Sequence, residues 1–353
     1  MNLDYLRETI ASHPTRPIIH HLNADTSWLL QIPIPSSSAP SSSTPARRYY
    51  NILLDPWLSG SQSDVASWFS QQWHATPSAY GSIAEVQDLC ATVEAIAAGD
   101  NSRVKADGKN YFDAVAISHE FTDHCHRQTL EEVDKSVPVF AWAKAAKLIR
   151  GWKWFKNVVE IPAFNKDWRQ TSNDPLPEWL GIGRLFNESD GLYYHAALTI
   201  TFALSPSSPA EVVIYTPHGL HAPTLTPIPL ADPPVRPLCL LHGLHDVHLD
   251  WRQQLNLGAH HALAAQRMLG AKYWMGTHDE DKKGTGVVSW FLRRKCYSVD
   301  EAVEREMKTA EAETEKAGAV DRGEWDEKKG KWHPTGWRDM GNGEARVLRE
   351  DGL

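Results

Sequence analysis

The chain has 353 residues, 42% hydrophobic and 23% charged, which is enough apolar material for a large core and excludes disorder along its whole length. Its formal net charge is −8 with no basic stripe, which argues against a nucleic-acid groove. No segment approaches the ~20 apolar residues of a membrane span, and the opening MNLDYLRETIASHPTRP lacks the apolar stretch of a secretory leader, so cytoplasmic, or else nuclear, residence is the expectation.

Residues 2–12 read as a short helix with Leu3, Leu6 and Ile10 on one side. PIIHHLNADTSWLLQIP then suggests two short strands with a turn at Asn23–Asp25. The low-complexity run 36–46 is expected to be a flexible hairpin tip before the strand-like YYNILLDP. Residues 57–81, rich in Trp, Ser and Gln, read as an extended loop. Ser82 and Glu85 form a capping box ahead of an amphipathic helix, whose apolar face is Ile83, Val86, Leu89, Cys90, Val93 and Ile96. DAVAIS (113–118) reads as a buried strand followed by a polar turn over 119–126. The helix RQTLEEV, strand VPVF, helix AWAKAAKLI and strand NVVEI continue an α/β rhythm.

Beyond residue 165, segments 193–204 and 211–216 read as a strand pair. Six prolines over 223–237 exclude regular structure there. PLCLLHG is a further strand, 252–269 a helix and KYWM a strand before the turn GTHDEDKKG. Ser298 and Glu301 make a second capping box, opening a highly charged helix to about residue 317. The polar, Gly-rich end of the chain is expected to lie loosely over the surface. The four cysteines, Cys90, Cys125, Cys239 and Cys296, are widely spaced without a C-x-x-C and read as reduced thiols.

The 17 histidines are grouped, and the grouping points to chemistry. His119-Glu-Phe-Thr-Asp123-His124-Cys-His126 follows directly on a buried strand. A loop starting at a strand end is held rigidly, and a tight turn can aim His119, Asp123 and His124 into one cleft. Imidazole and carboxylate together suit zinc, iron or manganese. A second group, His242-Gly-Leu-His245-Asp246-Val-His248, could add a ligand or a general acid, or open a polar helix capped by Asp246. His195 and the pair His260–His261 read as packing or surface residues.

The 119–124 segment resembles the H-x-H-x-D-H motif of the metallo-β-lactamase superfamily. Asn23-Ala-Asp-Thr-Ser27 and Leu54-Asp55-Pro-Trp-Leu resemble the start of that fold, most like its ascorbate-phosphate lactonase and N-acyl-phosphatidylethanolamine phospholipase branches. VVIYTPHG lies where the family has a strand ending in Gly-Asp-Thr, and puts His218 in that neighbourhood. KYWMGTHDE lies where the family places its last histidine ligand, so His278 matches. The resemblance spans about residues 15–290 and implies a four-layer αββα sandwich over 1–297, with 298–353 as a charged helix and C-terminal extension. In the family, the loop region holding Trp57, Trp68 and Trp73 can lie over the site mouth, which suggests an aromatic wall.

Two departures stand in the motif. Phe121 replaces its second histidine, and His218 stands in place of the bridging aspartate. The resemblance therefore implies a single ion, zinc with iron or manganese as alternatives, held by Asp123, His124, His278 and His218, with His119 approaching the same ion or the substrate. Such an ion lowers the pKa of its water from ~15.7 toward ~7. Asp123 would orient that water as hydroxide, and His119 or a member of the 242–248 group would protonate the leaving group. The implied function is metal-dependent hydrolysis of a small-molecule ester, lactone, amide or phosphodiester. Phe121 also supports an alternative, a degenerate, non-catalytic binding protein of the same fold; an iron-dependent redox enzyme is a further rival.

Overall fold

The computed structural model describes residues 3–36, 47–64, 66, 68–100, 102–250, 253–317 and 336–352, the stretch 309–317 by its backbone. Most of the 36–46 run expected to be a hairpin tip lies outside the described residues, as does 318–335 of the polar end.

Alternation along the buried strands sets the layers. Seven strands form the first sheet, in the order Ala345–Val347 (β18), Ile18–His21 (β1), Trp28–Pro33 (β2), Tyr49–Leu54 (β3), Ala114–Ile117 (β6), Val139–Ala141 (β7) and Val158–Glu160 (β8). Five form the second: Tyr273–Met275 (β15), Val235–His242 (β12), Ala210–Thr216 (β11), Ala197–Phe202 (β10) and Leu180–Leu185 (β9). Both are mixed: β1–β2–β3 and β9–β10–β11 pair antiparallel, while β3–β6–β7–β8 and β11–β12–β15 run parallel. Val115 and Ile117 of β6 face one way and Ala114 and Ala116 the other, yet all four are buried. A strand covered on both faces reads as an unbroken apolar run, which is why DAVAIS and EVVIYT lack polar alternation.

Helices Leu3–Ser12 (α1), Ile83–Ala97 (α2) and Ala143–Trp152 (α4) cover the outer face of the first sheet through Leu6, Ile10, Val86, Leu89, Val93 and Ile149. Ala259–Leu269 (α5) and Val299–Ala317 (α6) cover the second through Leu263, Val299 and Val303. Between the sheets lie Trp28, Leu30, Leu54, Ile182, Ile200, Val213 and Leu241. The order is helix, sheet, sheet, helix: the four-layer αββα sandwich. Ser82 caps α2, its hydroxyl accepting from Glu85 N at 3.3 Å, and the Ser298–Glu301 box is reciprocal at 3.1 and 2.7 Å. Among the described residues no helix is long and apolar enough to cross a membrane.

Several elements differ from the sequence reading; β12 begins at Val235, inside the proline-rich run expected to hold no regular structure, and β-strands at Ser61–Gln62 and Gln71–Trp73 stand in the segment read as a loop. Strand β9, LGIGRL, is hidden by its glycines; a Cβ at Gly183 would come within 2.8 Å of Thr171 Cγ2 and 2.9 Å of Thr199 Oγ1. The helix expected over 252–269 begins only at Ala259. Gln253–Asn256 (β14) instead folds back on Asp246–Leu249 (β13), held where Asp246 Oδ1 accepts from Gly258 N at 2.7 Å and Gln254 Nε2 at 3.0 Å. The end of the chain is not loosely laid on the surface: β18 pairs with β1, and Leu348 is fully buried between the sheets.

Two small three-stranded sheets stand beside the main layers. One joins Ser61–Gln62 (β4), Gln71–Trp73 (β5) and Lys283–Thr285 (β16); the other joins β14, β13 and Leu292–Lys295 (β17). Short Arg127–Leu130 (α3) follows the histidine-rich turn.

Candidate metal centre

The chain brings its polar groups together where strand ends meet. Asp55 follows β3, Ser118 and His119 follow β6, His218 follows β11 and His278 follows β15. Asp55 and His278 hold left-handed backbones, φ 38° and 61°. Such strain in non-glycine residues gathers at functional sites. The first hairpin closes the base: Thr26 Oγ1 donates to the Asp123 carbonyl at 2.9 Å and His278 N to the Asp25 carbonyl at 3.0 Å.

His124, His218 and His278 form a triangle, with ring centroids 4.9, 5.0 and 5.0 Å apart. The His124 and His218 rings are fixed through Nδ1. His124 Nδ1 donates to Asp55 Oδ2 at 2.8 Å, His218 Nδ1 donates to Asn256 Oδ1 at 2.8 Å, and His278 Nδ1 lies 3.2 Å from Asp25 Oδ1. That leaves Nε2 on the inner side. The Nε2 atoms of His124 and His218 are buried and have no hydrogen-bond partner. Asp123 Oδ1 lies 3.7 Å from His124 Nε2, and its Oδ2 3.8 Å from His278 Nε2. The ligand atoms of Asp123, His124 and His278 lie within 4.8 Å of one another, as do those of His119, His124 and His218. An imidazole with a carboxylate or amide oxygen on one nitrogen and a bare lone pair on the other is the arrangement of a metal ligand with its outer partner. The residues present therefore fit a divalent ion.

The electrostatics agree. Asp25 and Asp123 are buried around one ammonium, Lys282, whose Nζ lies 2.7 Å from Asp25 Oδ2 and 2.8 Å from Asp123 Oδ2. Burial alone would raise the Asp25 and Asp123 carboxyls, but Lys282 holds both below the usual carboxylate range. Burial would likewise lower Lys282, which the two carboxylates raise. Burial opposes the charged form of His124 too, but Asp123 and Asp55 raise it, while burial and then His124 push His218 well down.

His119 stands differently. Its Nδ1 lies 2.8 Å from Ser118 Oγ and its Nε2 donates to the Tyr194 carbonyl at 3.0 Å; the ring is 1% exposed. The leaving-group role expected of it meets an obstacle here, because both nitrogens are engaged inside the protein. Phe121 packs 5.6 Å from the His218 ring and lines the cavity beside it. That cavity, about 200 Å³, is bounded by Asp123, His218, His278 and Lys282 at its floor. Val247, Leu255, Leu292 and Arg294 come from one small sheet, and Gln62 and Gln72 from the other.

The expected tryptophan wall does not form. Trp57 is buried and stacked on His74 at 3.8 Å, Trp68 is 70% exposed, and the cavity's aromatic lining is Phe121 and Tyr194. No member of the 242–248 group joins the triangle. His242 is buried with Nδ1 on the Gly243 carbonyl, and His245 Nδ1 faces Arg294 at 3.0 Å. Sequence reasoning did not single out Lys282, Asn256 or the pairing roles of Asp25 and Asp55. The aspartates lie in the two segments that carried the family resemblance, and Lys282 lies one helical-type spacing beyond His278, which is the only local signal.

No family model and no curated protein matches this sequence. Solved structures do match in shape. A "possible metal-dependent hydrolase" from Veillonella parvula DSM 2008 is 12% identical with a TM-score of 0.52, over 94% of this chain and 100% of that one. An isothiocyanate hydrolase from Delia radicum gut bacteria is 12% identical with a TM-score of 0.50, over 94% and 99%. The Bacillus subtilis metallo-beta-lactamase fold protein YhfI is 13% identical with a TM-score of 0.45, over 94% and 99%. At these identities the likeness to the first two is one of fold alone, and the fold of this chain is a four-layer αββα sandwich.

Proposed function

We propose that the chain is a metal-dependent hydrolase of a small molecule, with one ion, zinc by its donor chemistry, held by Asp123, His124, His218 and His278. The observation that carries this is the pair of buried, unpartnered Nε2 atoms on His124 and His218, each ring already fixed through Nδ1. A divalent ion bound there supplies Lewis acidity and activates water. The chain's own residues do the rest. Asp55 and Asn256 orient the His124 and His218 imidazoles, and the Asp25 carboxylate stands 3.2 Å from His278 Nδ1. Lys282 and Arg294 put positive charge on the cavity wall, where it can hold a carbonyl or phosphoryl oxygen as negative charge develops. Tyr194 accepts from Gln253 Nε2 at 3.2 Å and keeps its own hydroxyl hydrogen for a bound group. Phe121, Leu255, Val288 and Leu292 keep the cavity partly apolar. His119 acts in this reading by holding the Tyr194 backbone. A cavity of about 200 Å³ suits a small ester, lactone, amide or phosphodiester.

Phe121 favours one other reading, a binding protein on the same fold that holds no ion. Elemental analysis of protein purified without chelator, beside His124→Ala/His278→Ala, separates the two. We expect the wild type to carry about one more equivalent of zinc per chain than the variant, and only the wild type to hydrolyse a panel of ester and phosphodiester probes. Equal metal content in both proteins sinks the proposal. Iron in place of zinc redirects it to redox chemistry.

A further inference from the structure

We propose a second cation site, for a borderline divalent ion of the zinc class, built from Asp190, His195 and His221 with His261 beside them. The ligand atoms of the first three lie within 4.8 Å of one another. His195 is 4% exposed, and its Nε2 lies 3.2 Å from the Leu255 carbonyl, to which it can only donate. In the neutral ring that leaves a lone pair on Nδ1. This atom faces Asp190 Oδ2 at 3.4 Å and has no hydrogen-bond partner. A lone pair and a carboxylate oxygen held face to face away from water repel each other unless a cation or a proton lies between them. Burial disfavours the proton.

One further group converges on the same place, with another ring beside it. His221 Nε2 lies 3.7 Å from the same Asp190 Oδ2, and its ring is 5.1 Å from that of His261. His261 Nδ1 is buried with no partner. The other Asp190 oxygen accepts from Leu192 N at 3.0 Å, so the carboxylate is already oriented. Imidazole nitrogens with one carboxylate favour zinc, cobalt, nickel or copper over calcium or magnesium. The His221 side chain, 47% exposed, gives solvent access.

This site is separate from the triangle but shares a wall with it. The Tyr194 ring stands 5.0 Å from His195 and 5.4 Å from His218. The carbonyl that receives His195 belongs to Leu255, which also lines the first cavity. An ion on Asp190, His195 and His221 therefore pins the segment before β10 and fixes one side of that cavity. Its role is structural or regulatory.

The test is a cobalt(II) titration of chelator-stripped full-length His124→Ala/His278→Ala protein, followed by visible absorption, with and without the added Asp190→Asn/His221→Ala pair. We expect about one equivalent to bind in the first protein and affinity to fall at least about tenfold in the second. No binding in the first, or equal binding in both, overturns the proposal. If the starting variant does not fold by circular dichroism, zinc equilibrium dialysis decides between wild type and Asp190→Asn/His221→Ala. Loss of about one equivalent supports the site and equal stoichiometry overturns it.

Discussion

Lys282 joins parts of the site that are far apart in the chain. Its ammonium pairs with Asp25 from the first hairpin and Asp123 from the turn after β6, with all three side chains largely buried. Removing one partner from such a group costs more than the pairing itself is worth, because the remaining charges stay buried without compensation. In chelator-treated protein, Lys282→Met is expected to cost about 3–5 kcal/mol, read as a lower urea midpoint. Lys308→Met, which breaks the exposed pair with Glu304, should leave the midpoint in place. Equal midpoints for the two variants would remove Lys282 from this role. The H-x-x-x-D-H spacing was legible because those groups share one turn. Lys282 was not, because its partners come from loops on other strands.

At the scale of elements, the clearest contrast lies between the capping boxes and the last strand. Ser82–Glu85 and Ser298–Glu301 were readable because a cap is a contact within four residues. Strand β18 was not, since Ala345–Val347 is only three residues long, too short for its alternation to stand out, and it pairs where β1 offers an open edge. The pairing carries Leu348 into the seam between the sheets, and Arg16 Nε donates to its carbonyl at 2.8 Å. Leu348→Ala should therefore cost about 2–5 kcal/mol in urea unfolding, as expected of a buried leucine. The exposed Leu230→Ala should be nearly silent. A silent Leu348→Ala would mean that the C-terminal strand does not hold to the sheet in solution. Strand β9 was missed for a related reason: Gly181 and Gly183 make room for the turn around Thr171, so the strand lacks an apolar pattern.

For the whole molecule, the buried histidines set the response to acid. Burial pushes His20 down to about 4 and His242 down to about 3. Their folded values lie below those of the unfolded chain, so the stability they contribute is full above about pH 6.5 and is lost as pH falls toward 4. Each adds a slope of about 1.4 kcal/mol per pH unit within that window. The urea midpoint of chelator-treated protein should thus fall clearly between pH 7 and pH 5, and a flat midpoint would contradict the burial of these rings. The sequence by itself determined the α/β class, the apolar runs of the doubly covered strands, both capped helices and the turn that carries Asp123 and His124. Those rest on periodicity and on contacts a few residues apart. Tertiary structure decided which oxygens orient His124 and His218, placed Lys282 among the carboxylates, and brought Asp190, His195, His221 and His261 together. These contacts join loops at the ends of strands distant in the chain, and they exist only once the two sheets have packed and fixed which strand ends lie side by side.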